Sequence, residues 1–266
     1  MGDHPEPRSV VLCADDFGAN GRSSRAIIDL ARSGAISAAS VLVHAPYAAS
    51  YGALLTSNAP HLSVGLHLDL TEFAPVGIRS SLHRWLTRGF LLRRVDQGSV
   101  LAEIRSQLTR FEDLLGGAPA FVDGHCHIHQ IPGVREPLLT ELTGRYGSAV
   151  AVRSTRSSLP TNLKSRFIQE LGGRTLHAQI TQSAMHCNSD FAGAYDFKTT
   201  PAYETLMQLW LEKLQDGGMI MCHPELPVSS GKPRTAREAE YCYLASSAWR
   251  EQRLRSNVRL QAFTGT

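Results

Sequence analysis

The apolar positions of this chain form short buried-strand runs alternating with stretches of helical spacing, about seven times over. Ser9–Cys13 is a Val- and Leu-rich strand run, and Ser24–Arg32 follows with Ile27, Leu30 and Ala31 at helical spacing. Ser37–Val43 predicts a second strand, and Tyr47–Ser57 a helix closed by Asn58-Ala59-Pro60. In Ser63–Leu70, Val64, Leu66, Leu68 and Leu70 alternate with Gly65, His67 and Asp69, so His67 faces away from the apolar side, toward solvent or a barrel mouth. Residues 71–98, with Pro75, Gly77, Gly89 and Gly98, read as a loop around Trp85 and Phe90. A loop that long inside a compact domain is expected to be a lid or substrate loop.

Val100–Leu115 is an amphipathic helix with Val100, Ile104, Leu108, Phe111 and Leu115 on one face, ended by Gly116-Gly117. Phe121 and Val122 end a strand, Val134–Tyr146 is helical, and Ala149–Val152 is a strand running into Arg153. Thr161–Leu171 predicts a helix, Gln179–Thr181 a weak strand, and Ser183–Thr200 an irregular polar stretch. Tyr203, Leu206, Met207, Trp210, Leu211 and Leu214 make a core-packing helical stripe. Gly218–Cys222 is a buried strand ending in His223-Pro224-Glu225, and Val258–Ala262 is the last strand. Strand and helix in alternation predict an α/β fold with a parallel sheet and crossover helices.

In such folds the C-terminal strand ends gather into one site. Those positions carry Asp15 and Asp16, His67, Asp123 with His125, Arg153, and His223. The adjacent carboxylates Asp15 and Asp16 repel unless a cation or proton sits between them, and helix capping accounts for only one. Asp123, His125, His127 and His129 recur every second residue, which in an extended segment puts all four on one face. That row is a metal-site candidate or, more plainly, a solvated polar face. A carboxylate and two imidazoles with room for water make a catalytic metal site, with a spare carboxylate as base and a histidine as acid. Hydrolysis of an amide or ester follows. No Gly-x-Ser-x-Gly elbow or P-loop is present. A dinuclear amidohydrolase would place His-x-His near the N-terminus, and none stands there.

At 266 residues the chain fits a single domain over 1–266, and 42% hydrophobic with 19% charged residues is ordinary globular composition. A net charge of +3 without basic-aromatic runs argues against nucleic acid as a partner. A polar first segment, no apolar window of about 18 residues and five scattered cysteines lead to the expectation of a cytoplasmic protein without a membrane span.

The motifs Ala14-Asp15-Asp16-Phe17-Gly18, Gly65-Leu66-His67-Leu68, Asp123-Gly124-His125-Cys126-His127-Ile128-His129 and Cys222-His223-Pro224 resemble, in order and spacing, those of the YdjC-like carbohydrate deacetylases, the ChbG/HpnK group. The resemblance implies a distorted (β/α) barrel of about seven parallel strands related to the polysaccharide deacetylases. It also implies removal of N-acetyl groups from an acetylated amino sugar, either an oligosaccharide or a glycolipid-type sugar, with a divalent cation, often Mg²⁺, with Zn²⁺ as the alternative. By it, Asp16, His67 and His125 hold the metal, Asp15 is the base and His223 the acid. Asp123 orients a ligand imidazole, and Arg153 holds Asp15 ionised. His127 and His129 compete with His125 as ligand, and Asp190 and Glu225 are candidates for a supporting or substrate contact. The family is often dimeric, which makes a homodimer the candidate assembly. Gly124-His125-Cys126 stands where members often have Ser-His-His, and His223-Pro224-Glu225 where His-Pro-Gly is common. A saccharide-binding barrel without turnover, and a hydrolase of some other amide or acyl group, are the competing readings.

Overall fold

The structure is a computed structural model that describes residues 6–159, 169–198, 202–229 and 233–265. Its strands are β1 (Arg8–Phe17), β2 (Ala38–Val41), β3 (Ser63–Leu68), β4 (Phe121–Gly124), β5 (Ala151–Val152), β6 (Phe191–Ala192), β7 (Gly218–Cys222) and β8 (Val258–Leu260). Seven of them run in the order β5-β4-β3-β2-β1-β7-β6, β8 adds to β1, and every pairing is parallel. The path curls into a half-barrel, the α/β architecture that the alternating pattern predicts. β5 and β6 end the path. Across that gap Val152 N donates to His186 O at 2.9 Å, and the Asn188 amide adds to it: its Oδ1 accepts from Ser154 N at 2.8 Å and its Nδ2 donates to Ser154 O at 2.9 Å.

The described helices are α1 (Gly21–Arg32), α2 (Ala48–Asn58), α3 (Leu82–Leu86), α4 (Gln97–Leu115), α5 (Arg135–Tyr146), α6 (Arg174–Gln182), α7 (Tyr203–Lys213), α8 (Ala236–Leu244) and α9 (Ser247–Arg255). α4 buries Val100, Ile104, Leu108 and Phe111, the face its periodicity marks, at about 1.5–3 kcal/mol per side chain. α7 likewise buries Tyr203, Met207, Trp210 and Leu211.

The main departure within the sheet is at the end of β1, which runs past Cys13 to Phe17. Its register with β2 shifts between Ala14 and Phe17, and Asp16 takes φ 66°. In a regular strand Asp15 and Asp16 would face opposite sides. The irregularity lets both be buried beside the same cleft, each 2% exposed.

Other expectations are corrected. Gln179–Thr181 lies inside helix α6, where Leu176 and Ile180, four apart, share the buried face. Ser183–Thr200 contains strand β6, paired with Met219 and Ile220 of β7. The last strand stops at Leu260. Of the expected helix Thr161–Leu171, residues 161–168 lie outside the described residues, and Gln169–Gly173 is a π-type turn with Gly172 at φ 109°. Helices α8 and α9 were not anticipated. Range 71–98 is folded, not open: α3 and a π-type turn at Thr87–Leu92 occupy its middle, and buried Trp85 donates from Nε1 to Leu70 O at 3.0 Å.

The entry to that segment is organised by Asp69. Its buried carboxylate accepts from Thr71 N and Oγ1 (both 2.7 Å), Glu72 N (3.1 Å), Phe73 N (2.5 Å) and Ala74 N (3.2 Å). Burial opposes ionisation, but these donors outweigh it and hold the carboxyl below its usual range. A depressed carboxylate contributes stability above the unfolded value, and the contribution is lost as pH falls through the folded one. Asp69→Ala is expected to cost about 3 kcal/mol in urea unfolding at neutral pH, with the gap to wild type narrowing in acid. A pH-independent gap would show that packing, not charge, supplies the effect.

Candidate active site

The strand ends bring Asp15 and Asp16 of β1, His67 of β3, Asp123 of β4, Arg153 beyond β5 and His223 beyond β7 to one end of the sheet. Arg153 is fully buried and joins the carboxylates. It donates from Nη1 to Asp15 Oδ2 and from Nη2 to Asp15 Oδ1, both at 2.6 Å, and its Nη2 lies 2.6 Å from Asp123 Oδ2. Cys13, Asp15 and Asp123 also cluster, but this guanidinium already supplies their cation. Burial alone would raise the Asp15 pKa; the Arg153 charge and its hydrogen bonds win and keep the carboxyl far below its usual value.

A second group lies beside the first. His125 Nδ1 is 3.0 Å and His67 Nε2 3.5 Å from Asp16 Oδ1, and Asp16, His67 and His125 each offer a donor atom within 4.8 Å of the others. His67 Nδ1 is 2.6 Å from Asp123 Oδ1 and 3.0 Å from Ser40 Oγ, which fixes the ring and turns Nε2 toward Asp16. Burial would lower both imidazoles, but Asp123 brings His67 up to about 10 and Asp16 brings His125 up to about 11. A divalent ion held by these rings would displace their protons. One carboxylate and two imidazoles therefore fit a catalytic divalent cation.

His223 completes the floor, with Nε2 4.0 Å from Asp15 Oδ2. Its Nδ1 is buried without a hydrogen-bond partner among the described residues, its ring packs edge-on to Phe197 at 5.1 Å, and burial pushes it down to about 4. The cleft above has a volume of about 360 Å³, with Leu82, Leu86, Ile131, Leu171, Phe197 and Met221 as apolar walls.

The histidine row is not an extended face. β4 ends at Gly124, and His125–Gln130 forms a tight turn in which Cys126 (φ 52°) and His127 (φ 56°) are left-handed. A Cβ on Gly124 would stand 2.9 Å from both N and Nδ1 of His129, so this glycine permits the chain to fold back. The turn separates the rings. His125 meets Asp16; His127 lines the cleft and packs edge-on to Phe191 at 6.0 Å; buried His129 meets the Arg153 carbonyl at 3.1 Å through Nε2. Asp190 and Glu225 do not line the cleft. Asp190 binds Ser158 N (2.8 Å) and Oγ (2.6 Å), and Glu225 lies 3.4 Å from Arg22.

A family model described as YdjC-like protein matches residues 9–254. This chain belongs to the YdjC-like protein family. It is similar to a carbohydrate deacetylase of Danio rerio (32% identical over 196 residues, 68% of this chain and 60% of that protein). It therefore spans less than two thirds of that relative. It is also similar to a chitooligosaccharide deacetylase of Enterobacter sp. (strain 638), 30% identical over 88% of this chain and 86% of the relative. Among solved structures, an Enterococcus faecalis V583 protein named for cellobiose-phosphate cleavage superposes with TM-score 0.71 at 18% identity, covering 97% of this chain and 98% of that one. The Bc1960 peptidoglycan N-acetylglucosamine deacetylase gives TM-score 0.50 at 12% identity over 96% and 85%. At these identities the structures establish the fold, which is polysaccharide-deacetylase-like.

Three further residues of this YdjC-like chain join the site without a sequence expectation. Arg237, on α8, donates from Nη2 to Asp16 Oδ2 at 2.8 Å. Glu240, one turn on, accepts from Tyr195 Oη at 2.5 Å and from the His223 backbone N. Glu72, in the turn set by Asp69, lies 3.1 Å from His125 Nε2. A signal for α8 was present: Thr235-Ala236-Arg237-Glu238 is a capping-box pattern, and Thr235 Oγ1 accepts from Glu238 N at 3.2 Å.

Proposed function

We propose that this protein is a divalent-metal-dependent hydrolase that removes N-acetyl groups from an acetylated amino sugar, an oligosaccharide or glycolipid-type sugar. The observation that carries the reading is the pairing of an Asp16–His67–His125 donor set with a separate carboxylate, Asp15, and His223 within 4.0 Å of it. The names of the two relatives agree with it. Asp16, His67 and His125 would hold the cation, which when bound acidifies a water and polarises the acetyl carbonyl.

The chain's own residues supply the proton path. Asp15 is kept ionised by Arg153, which leaves it in the form that can accept a proton from water as the water oxygen bonds to the carbonyl carbon. His223 starts neutral at pH 7, because burial holds it down to about 4. His223 takes up the proton through a water spanning the 4.0 Å between its Nε2 and Asp15 Oδ2, and delivers it to the departing nitrogen. One C–O bond forms, one C–N bond breaks, and a single proton passes from water to nitrogen, leaving acetic acid and a free amine. The segment 71–98 acts as lid and substrate loop, with Leu82 and Leu86 as its contribution to the cleft wall. Mg²⁺ is the cation the family resemblance favours; two imidazoles also suit Zn²⁺. We further infer a cytoplasmic enzyme that works as a homodimer. No described helix is long and apolar enough to cross a membrane.

Acetate release from N-acetylglucosamine oligomers tests the proposal. Chelator treatment is expected to bring release to background, and Mg²⁺ and Zn²⁺, titrated separately, to restore it while circular dichroism stays unchanged. No acetate from an amino-sugar panel with either metal present would end the reading.

A further inference from the structure

Arg237 is set where a cation needs a reason to be. Its Nη2 takes Asp16 Oδ2 at 2.8 Å, while Asp16 Oδ1 faces His125 Nδ1 at 3.0 Å and His67 Nε2 at 3.5 Å. The two oxygens of one carboxylate are thus divided between a guanidinium and the donor set. A positive charge one carboxylate away from a divalent ion repels it, and near a protein surface that repulsion is not negligible. Alignment of Asp16 alone would be done as well by a neutral amide. The side chain is only partly enclosed, 36% exposed, and it lines the cleft that Asp15, His67 and His223 also line. Among the described residues its side chain has a single hydrogen-bonded partner, Asp16. A guanidinium offers five N–H donors in a planar fork, so Asp16 leaves donors of this cleft-lining side chain unused.

We propose that Arg237 is a substrate-contacting residue: anchored through Asp16, it presents its remaining N–H groups to the carbonyl oxygen of the scissile acetamide. Negative charge builds on that oxygen as water adds to the carbon, and a preorganised cationic donor held by a buried carboxylate stabilises the charge without reorganising. No proton leaves the guanidinium, and the bonds made and broken are those of the hydrolysis above. Glu240 sits one turn along the same helix and holds the His223 backbone, so α8 places a donor for the oxygen and a brace for the acid from one rigid element.

The inference rests on the deacetylase reading, and its test separates the two. Arg237→Gln and Arg237→Lys are compared with wild type for acetate release from a short N-acetylglucosamine oligomer, and for Mg²⁺ and Zn²⁺ affinity by calorimetry. The Gln variant is expected to lose about 100-fold in kcat/KM, mainly in kcat, while binding the cation as tightly as wild type or more so. The Lys variant, with the charge but not the fork, is expected to regain part of the loss. Weaker cation binding with kcat restored at saturating metal would reduce Arg237 to an aligner of Asp16 and overturn the assignment, as would unchanged kcat/KM. Wild-type protein releasing no acetate would overturn the deacetylase reading and this assignment with it.

Discussion

Asn at position 15 is expected to lower acetate release by about 10³-fold or more, within the range a positioned general base supplies. The substitution keeps the shape of the side chain and removes its capacity to accept a proton. It leaves Asp16, His67 and His125 untouched, so cation affinity measured by calorimetry should stay within a few-fold of wild type. The two readouts together separate loss of the base from loss of the site. A residual rate within tenfold of wild type would assign the proton to another group, and His223, 4.0 Å from Asp15, would be the next to test. The same variant places an amide against the Arg153 fork, so a modest drop in unfolding free energy accompanies it.

Arg153→Met should be the most destabilising single change in the site. Arg153 is fully buried, and its 2.6 Å contacts to Asp15 and Asp123 are the only guanidinium contacts of those carboxylates among the described residues. Removing one partner of a buried ion pair costs about 3–5 kcal/mol, because the other charge is left in low dielectric. Two carboxylates left facing each other would share a proton. The sign of the pH dependence follows from Asp15: its pKa is depressed in the folded state, so the stabilisation is present at neutral pH and is lost as pH falls below the ordinary carboxylate range. Urea unfolding of wild type and variant at pH 7 and in acid should show the gap closing as pH drops. A gap under 1 kcal/mol at pH 7 would mean that Met packs well enough to replace the network.

The alternation of strand and helix in a parallel sheet, the burial of the α4 and α7 faces and the gathering of Asp16, His67 and His125 were legible because each rests on a period or a strand end. The histidine row was not. Alternation at every second residue describes a straight segment, and nothing in Gly124-His125-Cys126-His127 announces that Cys126 and His127 turn left-handed. Gln179–Thr181 misled for the opposite reason: three residues are too few to tell a strand from a helix, and Leu176 with Ile180 decides it only when the window is widened. Arg237, Glu240 and Glu72 escaped because they reach the site from a helix and a turn, not from strand ends. Their partners are Asp16, His223 and His125, the first 221 positions from Arg237 along the chain.

Position 16 shows how two unrelated filters can leave a single amino acid standing. Few side chains tolerate a twist of +66° there; Gly does, and Asn and Asp follow. Of those three, Gly offers no donor at all and Asn no negative charge. Substituting most uncharged residues would therefore add backbone strain and erase the anion together, so mutational tolerance at this site should narrow toward Asp in a library selected for folding and for uptake of the proposed cation.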